Sequence, residues 1–223
     1  MYGSFNSYGS KSRSIGPTHK PVWLGTLRPV PVGGVLAEAF RKDGILIPAG
    51  TPIKYANKTI TPLVAWEVVS LTAGETNDTL VIKPCVYGNY SFLPAASDKI
   101  MKLGASFAAT GKAAAVIAVN ALTGDDAGKY SVTFLHSATI DNVSEGDYIV
   151  LSSAESAGNS KSVANQPNAY LGRDIFIEAD ENPNATGDVI VSHPEGVLID
   201  FTPAAPFASQ MAVAVPQVYQ HKL

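Results

Sequence analysis

Residue types that could do chemistry are present, but not at the spacings that catalytic motifs require. Ser106 follows Gly104 by two residues, as the nucleophile of a serine hydrolase does, but Ala108 stands where that motif needs its second glycine. Gly111-Lys112 offers the lysine of a phosphate loop, but it lies too far from Gly104, and Ala113 replaces the magnesium-binding hydroxyl residue. The sequence therefore predicts turns between core segments here, and no catalytic residue.

Four histidines are spread along the chain without the spacing of metal ligands. His136 ends an apolar segment and has Asp141 nearby in sequence, but these two residues alone do not define a catalytic dyad. We expect each histidine to be an ordinary surface or interface residue. The four are His19, His136, His193 and His221.

The stretch after residue 179 has part of the pattern of a calcium loop. Asp180, Asn182 and Asn184 alternate as oxygen ligands do. However, Ala185 stands at the sixth position, which requires glycine, and Val191 at the twelfth, which requires glutamate. A looser cation site is the open alternative. The prediction is that the protein holds no metal and no cofactor.

Composition favours a turn-rich β protein. Of the 223 residues, 46% are hydrophobic and 16% are charged, against about 25% charged in an average globular chain. The 19 glycines and 15 prolines are typical of short strands joined by tight turns. The single cysteine, Cys85, excludes a disulfide within one chain. The longest near-apolar stretch, 113–121, is far short of the ~20 residues that span a bilayer, so no membrane association is predicted.

The N-terminal segment is basic, whereas the rest of the chain is acidic. Residues 1–37 hold four basic residues and no acid, and the remainder holds 12 basic and 19 acidic residues. Residues 1–20 have no strand face or helix face, which predicts an arm that is flexible alone and docks on a partner. Four dispersed charges are too few to predict a nucleic-acid partner. The predicted anchoring residues are Tyr2, Phe5, Tyr8, Lys11, Arg13, Lys20, Trp23 and Arg28.

Four prolines lie in the second half of the arm and directly after it. Pro17, Pro21, Pro29 and Pro31 keep this stretch extended, because proline fixes φ and biases its predecessor away from helix. The apolar group Val22-Trp23-Leu24 lies within it. Packing of this group on the body is the alternative to a role in anchoring.

From about residue 32 the pattern is that of short strands separated by turns, and the predicted strands include Tyr130–Leu135 and Tyr148–Leu151. Residues 94–104 predict a short helix, with Ser97 as its N-cap and Gly104 as its stop. The alanines of residues 105–121 favour a helix, whereas the valines and isoleucine favour a strand. We favour the strand. Residues 152–168 predict a long exposed loop, and Met211–Tyr219 a terminal strand.

Together these elements predict a mainly β protein with one or two small β-sandwich or barrel-like domains, a short helix and an extended N-terminal arm. The arm is expected over residues 1–30 and a first β domain over residues 31–92. A second β domain, which ends in the C-terminal strand, is expected over residues 93–223.

Two neighbouring segments carry a resemblance to a known family. Pro31–Phe40 reads PVGGVLAEAF, and Gly44–Lys54 reads GILIPAGTPIK, a hairpin with proline, glycine, threonine and proline at fixed spacing. With the later Gly146–Val150, they resemble phage head fibre and capsid decoration proteins, in particular those of crAss-like phages of gut Bacteroides. The resemblance is good over about residues 30–70. It implies a β-rich body on the capsid exterior and an N-terminal segment that anchors it.

This resemblance, together with the lack of a catalytic motif, predicts a virion protein that is not an enzyme. We expect it on the outside of a phage head, bound to the major capsid protein and to other capsid proteins. No segment has the form of a signal peptide, which predicts assembly in the host cytoplasm. A homo-oligomer, with a trimer favoured, is expected because a charge-poor monomer would expose apolar patches. The loop 152–168 is the expected contact with any host-surface glycan. The alternative is a bacterial surface adhesin or carbohydrate-binding module.

Overall fold

The computed structural model describes residues 22–31, 33–85, 92–136, 140, 143–177 and 185–222. This part of the chain is mainly β, as the sequence predicts, with barrel-like closed sheets and one short α-helix. The strands are β1 (Gly34–Leu36), β2 (Leu46–Ile47), β3 (Pro52–Ala56), β4 (Thr59–Pro62), β5 (Ala65–Thr72), β6 (Asn77–Pro84), β7 (Lys99–Lys102), β8 (Gly111–Ala121), β9 (Tyr130–Leu135), β10 (Tyr148–Leu151), β11 (Ser156–Lys161), β12 (Ala169–Leu171), β13 (Ile175–Phe176), β14 (Thr186–Gly187), β15 (Val189–Ile190), β16 (His193–Leu198) and β17 (Val218–His221). The α-helix is α1 (Ala208–Ala214), and 3-10 turns lie at Glu38–Phe40, Gly124–Asp126, Ile199–Phe201 and Ala205–Phe207.

Six antiparallel strands form a closed barrel, here called the large barrel. Their order is β8-β7-β10-β5-β6-β9, and β9 pairs back with β8. The eleven-residue β8 makes this closure because its first half pairs with β7 and its second half with β9. β11 then pairs with the free edge of the first half of β8. The sheet thus joins β5 and β6 to strands beyond residue 93, across residue 92, where the sequence predicts a boundary between two domains.

Alternating side chains fill the large barrel. Trp66 and Val68 of β5 point into its interior, together with Leu80 of β6 and Phe134 of β9, whereas Ala65 packs in a different cluster outside it. This two-residue period is the ordinary geometry of a strand with two buried faces. The barrel therefore has a packed core and a second apolar surface on its outside.

A second sheet curls into a smaller closed structure, here called the small barrel. Its order is β14-β1-β4-β3-β12-β15. The end strands β14 and β15 belong to one continuous segment, 186–190, so the two edges of the sheet meet there. Its interior holds Leu36, Ile53, Ile60 and Leu171, and the two-stranded ribbon of β2 and β13 packs on the same cluster.

The C-terminal region covers the junction between the barrels. β16 and β17 pair in parallel, and α1 lies next to them in sequence and in space. One apolar cluster combines Met101 and Val150 from the outside of the large barrel, Tyr170 of β12, and Met211 of α1. The C-terminal region therefore ties both barrels into one packed unit.

The predicted helix at 94–104 is wrong, because residues 99–102 form strand β7. Ser97 has a φ of 75°, which belongs to a turn and not to a helix N-cap. Ile100 packs inside the large barrel while Met101 packs in the outer cluster, so both faces are apolar. A strand buried on both faces lacks polar alternation and is easily mistaken for a short helix.

The predicted terminal strand Met211–Tyr219 is also wrong for its first half. Residues 208–214 form α1, and only Val218–His221 is a strand. Phe207, Met211 and Val215 are buried at a spacing of four residues, which is the helical period, whereas Val213 is 67% exposed. Alanines at 208, 212 and 214 add helix propensity.

The segment 152–168 is not a structureless loop. It contains β11, which pairs with β8, and a bridge between Ser152 and the buried Val163. Because β11 pairs with β8 through its backbone, a polar sequence does not exclude a strand here. The strand that we favour over helix within residues 105–121 is confirmed as β8. Among the described residues, no helix is long and apolar enough to cross a membrane.

Candidate functional site

The point where the N-terminal arm joins the body is fixed by backbone hydrogen bonds. Leu198 N donates to Val22 O at 2.8 Å, and Leu24 N donates to Gly196 O at 3.2 Å. Trp23 forms an antiparallel bridge with Val197 between these two bonds. Residues 22–24 therefore act as a short third strand beside β16, and we call them the arm root.

Apolar packing holds the arm root as well. Val22 and Trp23 pack against the cluster at the junction between the barrels. The Trp23 ring lies edge-to-face with Tyr170, with 5.9 Å between centroids, and with His193, with 5.4 Å between centroids. Such pairs stabilise by about 0.5–1.5 kcal/mol beyond the area they bury. Packing on the body, the alternative for Val22-Trp23-Leu24, is what the structure shows, so Trp23 has an intramolecular role that the anchoring prediction did not include.

The side chain of His193 contacts the arm root at Trp23 and Leu24. It is fully buried, which corrects its assignment as an ordinary surface or interface residue. Its Nε2 lies 2.7 Å from Leu24 O, and because a carbonyl oxygen only accepts, Nε2 carries the proton and donates it. His193 Nδ1 and Trp23 Nε1 are buried without a hydrogen-bond partner among the described residues. Backbone pairing and apolar contacts must offset the cost of these two groups, about 1–3 kcal/mol each.

A turn at Gly25 leads the chain away from β16. Gly25 has a φ of 67°, and a β-carbon there would lie 1.1 Å from Glu195 Oε2. The same carboxylate accepts a hydrogen bond of 3.0 Å from Thr26 N. The left-handed backbone therefore favours glycine here, whereas a β-carbon would also displace the flexible end of the Glu195 side chain.

Tyr170 connects the small barrel to the C-terminal region directly beneath Trp23. Gln220 Nε2 donates to Tyr170 Oη at 3.1 Å and to Ala208 O at 2.9 Å. Burial raises the pKa of Tyr170 to about 12, although the hydrogen bond from Gln220 lowers it in part. The hydroxyl is therefore held in its protonated form in the folded protein.

This raised pKa predicts a specific loss of stability in alkali. Above pH ~10 the unfolded chain releases the Tyr170 proton while the folded chain keeps it, so the free energy of unfolding falls as pH rises. The loss from this residue should be about 1.4 kcal/mol at pH 11 and about 2 kcal/mol at pH 12. We expect Tyr170→Phe to lack this part of the pH dependence in urea unfolding at pH 8, 10 and 11. Tyr219→Phe, at a tyrosine that is 64% exposed, is the matched control and should follow the wild-type profile. Parallel profiles for Tyr170→Phe and wild type would contradict the assignment.

The other predicted anchoring residues are only partly covered by the structure. Arg28 is exposed, four residues beyond the arm root. The remaining six lie outside the described residues: Tyr2, Phe5, Tyr8, Lys11, Arg13 and Lys20. Their anchoring role stays a prediction. The arm root itself was missed as a site, because neither Gly196 nor Val197 carries a sequence signal that links it to residue 23.

The predictions for His136 and for the calcium-like stretch can also be compared with the structure. His136 contacts Asp78, with 2.7 Å between Nδ1 and Oδ1, a pairing across 58 residues that sequence spacing did not reveal. Asp141 and the calcium-like stretch 180–184 lie outside the described residues. Within the described part of the chain, no group of three or more His, Cys, Asp or Glu side chains is placed to hold a metal ion.

Comparisons of the chain with protein-family models, with curated proteins and with solved structures find no match.

Proposed function

We propose that this protein is a structural component of a phage virion, attached to the outside of the head as a head fibre or decoration protein. The proposal is supported by the resemblance over Pro31–Phe40 and Gly44–Lys54. In the structure these two segments supply β1, β2 and the start of β3. The Pro48-Ala49-Gly50 turn between β2 and β3 has Gly50 at a φ of 77°.

The observation that carries the proposal is the arm root. Residues 22–24 are bound to β16 and to the cluster between the barrels, so the basic, aromatic residues 1–21 precede a point that is firmly part of the body. A partner that holds these residues would therefore hold the whole body through a short, packed connection. The proposed partner is the major capsid protein, with other capsid proteins at the same surface.

Three features belong to the same proposal. The location is the capsid exterior, after assembly in the host cytoplasm. The mechanism is binding and not catalysis. A host-surface glycan is a further candidate contact, at the exposed residues around β11.

Self-association is part of the proposal, with a trimer favoured. Val213 of α1 and Tyr219 of β17 are 67% and 64% exposed, and they lie on neighbouring elements. Large side chains exposed to this degree favour burial between copies. We expect light scattering of the purified protein at micromolar concentration to give a mass of about three times 23.3 kDa, and Val213→Asp with Tyr219→Ser to lower it. A stable monomer in the wild type would contradict self-association in solution.

Mass spectrometry of purified particles tests the proposal as a whole. The phage that encodes this chain should contain it in a fixed ratio to the major capsid protein, after the particles have been banded by density. Loss of the protein on mild protease treatment of intact particles should show that it lies outside. Absence of the protein from banded particles would overturn the proposal and favour the adhesin or carbohydrate-binding alternative.

A further inference from the structure

One end of the large barrel changes from apolar to charged. The inward-facing positions hold Leu80 on β6, Phe134 on β9, Ile100 on β7 and Ala114 on β8. Two residues further toward one end, and so on the same face of each strand, the side chains are charged or protonatable. These residues are Asp78, His136, Lys102 and Lys112.

The strand register brings these four positions to the same end of the barrel. Asp78 pairs with Phe134, which also pairs with Val116 of β8. Met101 pairs with Ala113. The start of β6, the end of β9, the end of β7 and the start of β8 therefore meet, and we call this end the barrel mouth. The opposite end is formed by the turn between β8 and β9, which contains Lys129.

The barrel mouth is a concavity and not a closed end. Its volume is about 720 Å³, and its walls include the four residues together with Thr110 and Gly111. Small-molecule sites range over ~300–1,000 Å³ and are often found in the mouths of β-barrels. The space is thus large enough for a sugar-sized molecule and far larger than a single ion needs.

Asp78 and His136 form a prearranged pair in this concavity. Asp78 is 4% exposed, and its Oδ1 accepts hydrogen bonds from His136 at 2.7 Å and from Gly74 N at 3.1 Å. A carboxylate at Nδ1 holds the ring orientation and leaves Nε2 as the nitrogen that a ligand can meet. A buried acidic side chain that fixes a half-exposed histidine is a built feature of the mouth.

The mouth offers cationic donors that suit an anion. Lys102, Lys112 and His136 line it, and the carboxylate of Asp78 is already engaged by protein donors. Asp147, the partner of Lys102 at 2.7 Å, likewise accepts from Ser144 N at 2.7 Å. Lysine ammonium groups donate to phosphate and carboxylate oxygens, and His136 does so from Nε2 when its ring is protonated at both nitrogens, because Nδ1 already donates to Asp78.

We propose that the barrel mouth binds a small, sugar-sized molecule that carries an oxyanion, either phosphate or carboxylate. Lys112 and His136 contact the oxyanion, and Asp78 positions the histidine. This site is separate from the arm root, and it neither requires nor excludes the capsid role.

The test is a titration of the full chain with three probes that share a ring but differ in charge. These are glucose 6-phosphate, glucuronate and glucose, followed by NMR of the backbone amides and by calorimetry. At least one anionic sugar should bind saturably and shift amides of the mouth, such as those of Asp78 and Gly111. Glucose should not bind. The two anionic probes then show whether phosphate or carboxylate is preferred.

Variants separate a site from general charge attraction. Lys112→Met should weaken binding by about tenfold or more, since a charge-assisted hydrogen bond is lost. His136→Gln should weaken it as well. Lys129→Met, at the other end of the same barrel, should leave the affinity unchanged. Thermal unfolding of each variant checks that it folds, and the wild-type amide shifts locate the site without any variant.

Three results would overturn the proposal. They are no saturable binding of either anionic sugar to the wild type, equal binding of glucose, and amide shifts or affinity losses that involve Lys129 as much as Lys112. Each can be obtained whether or not the protein is found in virions.

Discussion

Replacing Trp66 by alanine is expected to lower the free energy of unfolding by about 4 kcal/mol. Trp66 is the largest of the fully buried side chains, 1% exposed in the core of the large barrel. Its Nε1 donates to Phe92 O at 2.7 Å, so the change also removes the partner of a carbonyl group. Domains are commonly stable by only 5–15 kcal/mol, and the loss is therefore a large fraction of the total.

Chemical denaturation followed by circular dichroism measures this effect. Trp66→Phe keeps much of the buried volume and loses the hydrogen bond, so it should cost about 1–2 kcal/mol. Ile117→Ala is the matched control on the outside of β8, where the side chain is 44% exposed, and it should cost under about 1 kcal/mol. A Trp66→Ala protein as stable as Ile117→Ala would contradict a barrel packed around this ring.

The sequence predicts local elements well where each strand has one clear pattern. The predicted strands Tyr130–Leu135 and Tyr148–Leu151 are found with these bounds as β9 and β10. The segment 94–104 was misread because Ile100 and Met101 are buried in two different cores. A single chain does not reveal that a strand has two apolar surfaces until its neighbours in the sheet are known.

Pairing between distant segments is the part that the sequence does not predict. The closure of the large barrel depends on β8 pairing with both β7 and β9, and that of the small barrel on the segment 186–190. Neither pairing has a local signal, because cross-strand contacts depend on the register of residues far apart in the chain. The pairing of β5 with β10 and of β6 with β9 is not predicted for the same reason.

For the candidate sites, the sequence likewise shows the residue types but not the contacts between them. Residue types pointed to the arm as basic and aromatic, and Trp23 could be singled out from its apolar neighbours. Its actual contacts are with Tyr170 and His193, which lie 147 and 170 positions away in the sequence. The pair of Asp78 and His136 was equally invisible, since neither residue lies in a motif. A site whose residues are brought together by strand pairing can be identified only in the folded structure.

Deletion of residues 1–20 is expected to abolish the proposed attachment to the capsid while the body stays folded. The deletion removes none of the described residues, which begin at Val22, so the contacts of the arm root are kept. Ordering an arm costs about 1–2 kcal/mol per residue, and an exposed ion pair returns only about 0–1 kcal/mol. Under the proposed anchoring, burial of Tyr2, Phe5 and Tyr8 supplies most of the affinity, and the basic residues steer the encounter.

Point variants separate the two contributions of the arm. Phe5→Ala with Tyr8→Ala should weaken capsid binding at every salt concentration, because apolar burial is not screened. Lys11→Ala with Arg13→Ala should chiefly reduce the dependence of binding on salt. Lys129→Ala, far from the arm in sequence and with its ammonium already paired with Asp126, is the control and should bind as the wild type does.

The copy number of the protein on reconstituted capsids tests the central claim most directly. Particles that lack the protein are mixed with full-length or truncated chain and banded, and both proteins are quantified against the major capsid protein. Anchoring through the arm predicts full occupancy for the intact chain. For the chain without residues 1–20 it predicts a background level together with an unchanged thermal unfolding midpoint. A folded, truncated protein that occupies capsids as fully as the intact chain would contradict anchoring through the arm.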